Sequence, residues 1–165
     1  MIIEISEKEL LKTFNKLIAE VECGKHFDFS NPHHDEWLRC RVSRHYFSEA
    51  KFIAYYEANK PVGFAGLLID EGLEGVSISG QKTELLDVGI LPEFRNKGYG
   101  KKLLDYAEEK SGLSGAYCMY ISTYAKDTIA ISFYLRNGFV QVAVLPDVNG
   151  PGDEGNAILR KIIRR

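Results

Sequence analysis

The 165 residues correspond to one domain at roughly 150 residues each, enough to bury about 70% of the unfolded surface without disulfide or metal staples. An apolar fraction of 45% and a charged fraction of 27% exclude a disordered or fibrous chain. The 21 Lys and Arg against 23 Asp and Glu leave a formal charge of −2, which argues against a nucleic-acid partner. No apolar run reaches the roughly 18 residues of a membrane helix. The start, Met1-Ile2-Ile3-Glu4-Ile5-Ser6, lacks the basic region of a signal peptide. These features predict a cytoplasmic chain with no membrane contact. Cys23, Cys40 and Cys118 form no CxxC pair, and the adjacent His33 and His34 cannot share a helix face, so no metal is expected.

Ile2, Ile3 and Ile5 predict a short strand. Ser6-Glu7-Lys8-Glu9 is a capping-box pattern, and Leu10, Leu11, Phe14, Leu17, Ile18 and Val21 follow as one apolar stripe. A helix over Glu7–Glu22 is predicted, stopped by Gly24. Residues 25–49 hold all four histidines and the single Trp37, with a short helix expected over Asp35–Tyr46 on a Trp37, Leu38 and Val42 face. Phe52–Ala58 and Val62–Ile69 read as an antiparallel hairpin broken at Asn59-Lys60-Pro61. Gly72, Gly75 and Gly80 mark a loop with room for a short strand.

Leu85–Ile90 predicts a strand, Lys101–Lys110 a helix, and Ala116–Tyr124 a further strand. Asp127 caps a helix through Arg136, with Gly138 at its left-handed exit. Phe139–Leu145 and Ala157–Ile163 close the chain as strands around the Asn149-Gly150-Pro151-Gly152 turn. Hairpins on one side and crossovers on the other imply an α/β fold of α+β type in one domain. The expected sheet is mixed and mostly antiparallel, with about six to seven strands and about four flanking helices.

Chemistry concentrates between Glu84 and Leu104. A strand ending in Ile90-Leu91-Pro92 runs into a turn with Arg95, Gly98 and Gly100, which opens onto a helix. Glycines admit close backbone approach, and helix-start amides attract anions. Lys101 and Lys102 stand in the first turn, where the helix dipole disfavours cations, so a docked multivalent anion would account for them. A Walker A loop fails because Arg95 and Lys102 occupy its first Gly and last Ser/Thr positions. A dinucleotide fingerprint from Gly98 fails at Leu103.

The order Arg-x-x-Gly-x-Gly after such a strand resembles the acetyl-coenzyme-A motif of the GNAT family of N-acetyltransferases, Arg/Gln-x-x-Gly-x-Gly/Ala. Arg95, Gly98 and Gly100 match it fully. The family's second element, Asn-x-x-Ala-x-x-Phe-Tyr-x-x-x-Gly-Phe, is matched by Asp127, Ala130, Phe133, Tyr134, Gly138 and Phe139. The one departure, Asp127 for Asn, keeps the cap and puts the contact with the pantetheine arm in question. The resemblance covers Lys51–Phe139. It implies acetyl-coenzyme A as cosubstrate, with its diphosphate on Arg95, Asn96, Lys97, Gly98, Tyr99 and Gly100. The pantetheine arm would pair with Val88, Gly89 and Ile90, and Asp127 would border it. Gly89 fits either a strand bulge that frees an edge or a packing glycine.

The resemblance also assigns Tyr134 as the acid that protonates the departing thiolate, with Phe133 and Ala130 in the core. Glu84, eleven residues before Arg95, matches by offset the base of related histone acetyltransferases, and Asp87 competes with it. The expected acceptor is a primary amine of a small molecule or peptide. Its pocket wall is sought among His33, His34, Asp35, Trp37 and Tyr46. A non-catalytic acyl-coenzyme-A-binding module and a nucleotide-type phosphate sensor are the competing readings. The oligomeric state, a homodimer included, stays open.

Overall fold

The computed structural model describes residues 1–23, 30, 31, 33, 36–40, 42, 50–70, 81–148 and 150–163. The chain forms two compact units, Met1–Leu68 with Asp87–Ala107, and Ile69–Leu86 with Glu108–Arg165. Seven strands make one sheet: β1 (Ile2–Ile5), β2 (Lys51–Glu57), β3 (Lys60–Asp70), β4 (Lys82–Ile90), β5 (Cys118–Tyr124), β6 (Val140–Leu145) and β7 (Asn156–Ile162). Their order across it is β1-β2-β3-β4-β5-β7-β6. The β4–β5 pair is parallel, whereas β1–β2, β2–β3, β5–β7 and β6–β7 are antiparallel. The mixed, mostly antiparallel sheet therefore matches expectation. The helices are α1 (Glu7–Cys23), α2 (Tyr99–Leu113) and α3 (Thr128–Arg136), with a further helical stretch at 36–40. Among the described residues, no helix is long and apolar enough to cross a membrane.

In the first unit, α1 starts where Glu9 N donates to Ser6 Oγ at 3.3 Å, the serine half of the expected box. Leu10, Phe14, Leu17 and Ile18 are buried, and the helix kinks at Phe14, whose ring meets Phe64 at 5.5 Å. The β2–β3 hairpin turns on Ala58 (φ 47°) and Asn59 (φ 62°), two left-handed residues between the paired Glu57 and Lys60. That is the geometry matching strand twist in a two-residue loop. It moves the break one residue ahead of the expected Asn59-Lys60-Pro61, because Pro61 sits within β3 beside a register shift at Tyr55/Tyr56. Pro is tolerated at such a bulge.

In the second unit, Leu85, Met119, Ile121, Ala157 and Leu159 form a buried sheet face. β4 begins at Lys82 rather than the expected Leu85, since Lys82 and Glu84 alternate with buried Thr83 and Leu85. The α3 helix starts as expected, with Asp127 Oδ1 accepting from Ala130 N at 2.9 Å. At 36–40 and 42, Leu38 and Val42 are buried while Trp37 is 40% exposed, so Trp37 leaves the face it was expected to share. The short strand expected around Gly72–Gly80, and His34, Asp35 and Tyr46, lie outside the described residues.

Candidate active site

The Ile90–Gly100 turn belongs to the first unit, and its shape follows from a few backbone contacts. Leu91 N donates to Val62 O at 2.9 Å, tying the end of β4 to β3. A 3-10 turn, Pro92–Phe94, follows, closed by Arg95 N on Pro92 O at 3.2 Å. Asn96 (φ 60°) and Gly98 (φ 80°) then take left-handed conformations. A β-carbon built on Gly98 would meet nothing within 4 Å, so the turn opens onto free space there. The first helical bond runs from Lys102 N to Gly98 O at 3.2 Å. The amides of Tyr99, Gly100 and Lys101 thus precede the helical ladder, as the first donors of any helix do. Left-handed turns and helix-start amides together form a nest for an anion.

The side chains around the turn are largely engaged with protein. Arg95 Nε donates to Ile90 O at 2.9 Å and Nη2 to Glu20 Oε1 at 2.8 Å. Its guanidinium therefore braces the loop, and its charge is already answered by α1. Lys101 Nζ contacts both carboxylate oxygens of Asp105, at 2.6 and 2.8 Å. Lys97 Nζ donates to Glu93 O at 2.8 Å and lies 5.6 Å from the Phe94 ring. Lys102 Nζ lies over the Tyr55 and Tyr99 rings, at 5.6 and 5.1 Å. The anion invoked for Lys101 and Lys102 is thus not needed to explain them. The attraction this turn offers comes mainly from amides.

Tyr99 was expected only as backbone of the cradle. Its side chain is instead buried, edge-on to Phe94 at 6.0 Å and 5.2 Å from Tyr55, and its hydroxyl donates to Glu57 Oε2. That bond pins the start of α2 to the β2–β3 hairpin. No local pattern signals it, because the partners are 42 residues apart.

Gly89 is a packing glycine: a β-carbon there would lie 2.9 Å from both Leu17 and Phe64. Val88 and Ile90 are half-buried on the other face of β4. The β4–β5 ladder runs from Lys82↔Cys118 to Leu85↔Ile121 and stops there, although β4 continues to Ile90. Of the two readings left open for Gly89 the packing one fits, and β4 is unpaired with β5 beyond Leu85. Asp87 shares the face of buried Leu85 and Gly89, is half-buried, and is engaged by other groups.

The second unit holds Glu84, Asp127 and Tyr134. Glu84 is exposed and stands opposite Tyr120 of β5. Asp127 is exposed, its carboxylate occupied as the α3 cap. Tyr134 is only 5% exposed, with Phe133 and Phe139 ring centroids at 5.1 and 5.4 Å. Phe133 and Ala130, expected in the core, are half-buried, and Tyr134 is the more buried of the two adjacent aromatics. Among the described residues, no three His, Cys, Asp or Glu side chains gather to hold a metal ion.

The Tyr99 hydroxyl carries a pH signature. The Glu57 hydrogen bond, then burial, then the Glu57 charge push its pKa up to about 12. A raised phenol pKa stabilises the fold below the unfolded value of about 10, and that contribution vanishes as pH rises toward 12. Tyr99→Phe should therefore melt below wild type at pH 8, with the gap narrowing between pH 10 and pH 12. Melting curves across that range check it; a pH-independent gap would remove the Glu57 bond as its cause.

Residues 16–139 match the acetyltransferase (GNAT) family. A spermidine N(1)-acetyltransferase of Thermoplasma acidophilum is 28% identical over 114 residues, covering 67% of this chain and 70% of that protein. An aminoalkylphosphonate N-acetyltransferase of Salmonella typhimurium is 38% identical over 58 residues, covering 35% of this chain and 38% of that one. Among solved structures, the PaiA N-acetyltransferase of Thermoplasma acidophilum in complex with coenzyme A aligns with a TM-score of 0.69 at 20% identity, over 98% of both chains. With three-quarters of its length matched, this chain belongs to the acetyltransferase (GNAT) family.

Proposed function

We propose that the protein moves an acetyl group from acetyl-coenzyme A to a primary amine by direct attack within a ternary complex. The observation that carries this is the turn at Asn96–Gly100, which joins left-handed backbone, open space over Gly98 and helix-start amides. That arrangement suits the diphosphate of coenzyme A. The pantetheine arm would lie along Val88–Ile90, past the point where the β4–β5 ladder ends. A coenzyme-A-bound neighbour of the same fold, and relatives named for acetylating spermidine and aminoalkylphosphonates, support an amine acceptor.

In this reading the amine nitrogen attacks the thioester carbonyl and a C–N bond forms. The C–S bond breaks, and the thiolate leaves with a proton. An alkylamine titrates at about 10.4, so near neutral pH its proton must first go to a base. Glu84, exposed on β4 opposite Tyr120, is assigned that role, directly or through water. Tyr134 is assigned to protonate the thiolate.

Replacing Gly98 by Val places a β-branched residue at φ 80° and fills the open space. Calorimetry on the folded variant should show coenzyme A binding at least tenfold weaker, and unaltered affinity would move the diphosphate elsewhere. Glu84→Gln should slow turnover most at neutral pH and recover toward wild type as pH approaches the amine pKa. A pH–rate profile parallel to wild type would reassign the base to Asp87 or water. Tyr134→Phe keeps the packed ring and loses the proton, so turnover should fall on the order of 10²-fold with coenzyme A affinity within a few-fold. Wild-type turnover in that variant would leave Tyr134 a core aromatic.

A further inference from the structure

One row of residues crosses four strands of the second unit on a single face. Glu84 of β4 stands opposite Tyr120 of β5, Tyr120 opposite Arg160 of β7, and Arg160 opposite Val140 of β6. The adjacent row, Leu85, Ile121 and Leu159, is core, each side chain 3% exposed or less. Side chains alternate between sheet faces, so the Glu84 row lies on the other side. There Glu84 and Val140 are exposed, and Tyr120 and Arg160 half-buried.

Arg160 is the anomaly in this row. Its Nε is buried and has no hydrogen-bond partner, and no carboxylate among the described residues pairs with it. A guanidinium stays charged at any physiological pH, and a buried donor left unmade is destabilising. On the same face Asn156 Oδ1 is likewise buried and unsatisfied, while its Nδ2 donates to Ser122 Oγ at 3.2 Å. Both atoms lie on one sheet face, and Arg160 as a whole is only half-buried, so part of the residue remains within reach of a polar ligand.

We propose that Arg160 receives an anionic group of the acceptor, which makes the acceptor a small zwitterion: an amine bearing a carboxylate or phosphonate. This rests on the reading of Glu84 as the group that serves the amine. Glu84 and Arg160 sit two strand spacings apart, about 10 Å between backbones, with the Tyr120 ring between them. The carboxylate at one end draws an ammonium. The forked guanidinium at the other takes two oxygens of an oxyacid at once. A polyamine would instead set a second cation against Arg160. The row therefore selects by charge as well as by size.

The test uses the whole chain and two acceptors of similar size, 2-aminoethylphosphonate and propylamine, with spermidine as a polycation. Thiol release from acetyl-coenzyme A should give wild type a kcat/KM at least tenfold higher for the phosphonate than for propylamine. In Arg160→Gln that ratio should fall at least tenfold, mainly through KM, and Arg160→Lys should restore part of it. In parallel, calorimetry with coenzyme A present should show 2-aminoethylphosphonate binding that weakens at least tenfold in Arg160→Gln. A ratio unchanged in Arg160→Gln, or a wild-type preference for spermidine, overturns the proposal. So does phosphonate binding indifferent to Arg160. If no amine is acetylated while phosphonate binding still depends on Arg160, acetyl transfer fails as a reading and the anion site stands. Should Arg160→Gln not fold, Arg160→Lys and the wild-type acceptor ratio decide the matter.

Discussion

The first unit depends on how closely β3 and β4 approach at two glycines. A β-carbon on Gly63 would lie 2.3 Å from Gly89 O and 2.6 Å from the Ile90 side chain, and one on Gly89 would strike Leu17 and Phe64. Backbone is the only thing that fits there. Because the strands can close, Leu91 N reaches Val62 O, and the chain leaves β4 at a fixed point. Everything downstream inherits that origin: the Pro92–Phe94 turn, the left-handed Asn96 and Gly98, and the first donors of α2. The Arg95 and Tyr99 side chains then hold the loop from two directions, through Glu20 and Glu57. The Arg95–Glu20 pair is about 40% exposed on both sides, so it steers loop shape more than it stabilises the fold.

This changes what the motif residues mean. Arginine and lysines beside a glycine turn suggest a site that attracts anions by side-chain charge. Here Arg95 and Lys101 already have acidic partners, and Lys102 lies over two aromatic rings. What stays available is the backbone: amides that point the same way because of the turn's dihedrals and the helix start. Such a site tolerates changes of most side chains and is intolerant of change at Gly98, where φ is 80°.

Elements governed by local pattern were legible in the sequence. The α1 helix, expected over Glu7–Glu22, spans Glu7–Cys23, because a serine cap and a strong apolar stripe coincide. The α2 helix is longer than the expected Lys101–Lys110, since Tyr99 and Ser111 are both buried and add turns that polar neighbours disguised. Site details set by distant partners were not legible. Tyr99 meets Glu57, and Arg95 meets Glu20, 75 residues away. That Tyr134 is more buried than Phe133 was illegible for a related reason. Successive residues of a helix differ by about 100°, which says that only one of two neighbours faces inward but not which. The α3 helix carries exposed Ile129 and Leu135, so no polar face marks its outer side.

The second unit shows why a sheet can separate stability from specificity. Leu85, Ile121 and Leu159 are core, and one residue along each strand the side chains face outward as Glu84, Tyr120 and Arg160. The inner row must fill space at interior density, so it varies only among apolar residues of similar volume. The outer row has no such constraint, and its chemistry can change without disturbing the core. Arg160 departs from what stability alone would place there, because a buried, unsatisfied Nε weakens the fold. A residue that opposes stability invites a reason outside folding, and the acceptor charge proposed for this face would be one. The same alternation that builds the hydrophobic face thus presents an acid and a base across one tyrosine, in register with the strand proposed to serve the amine.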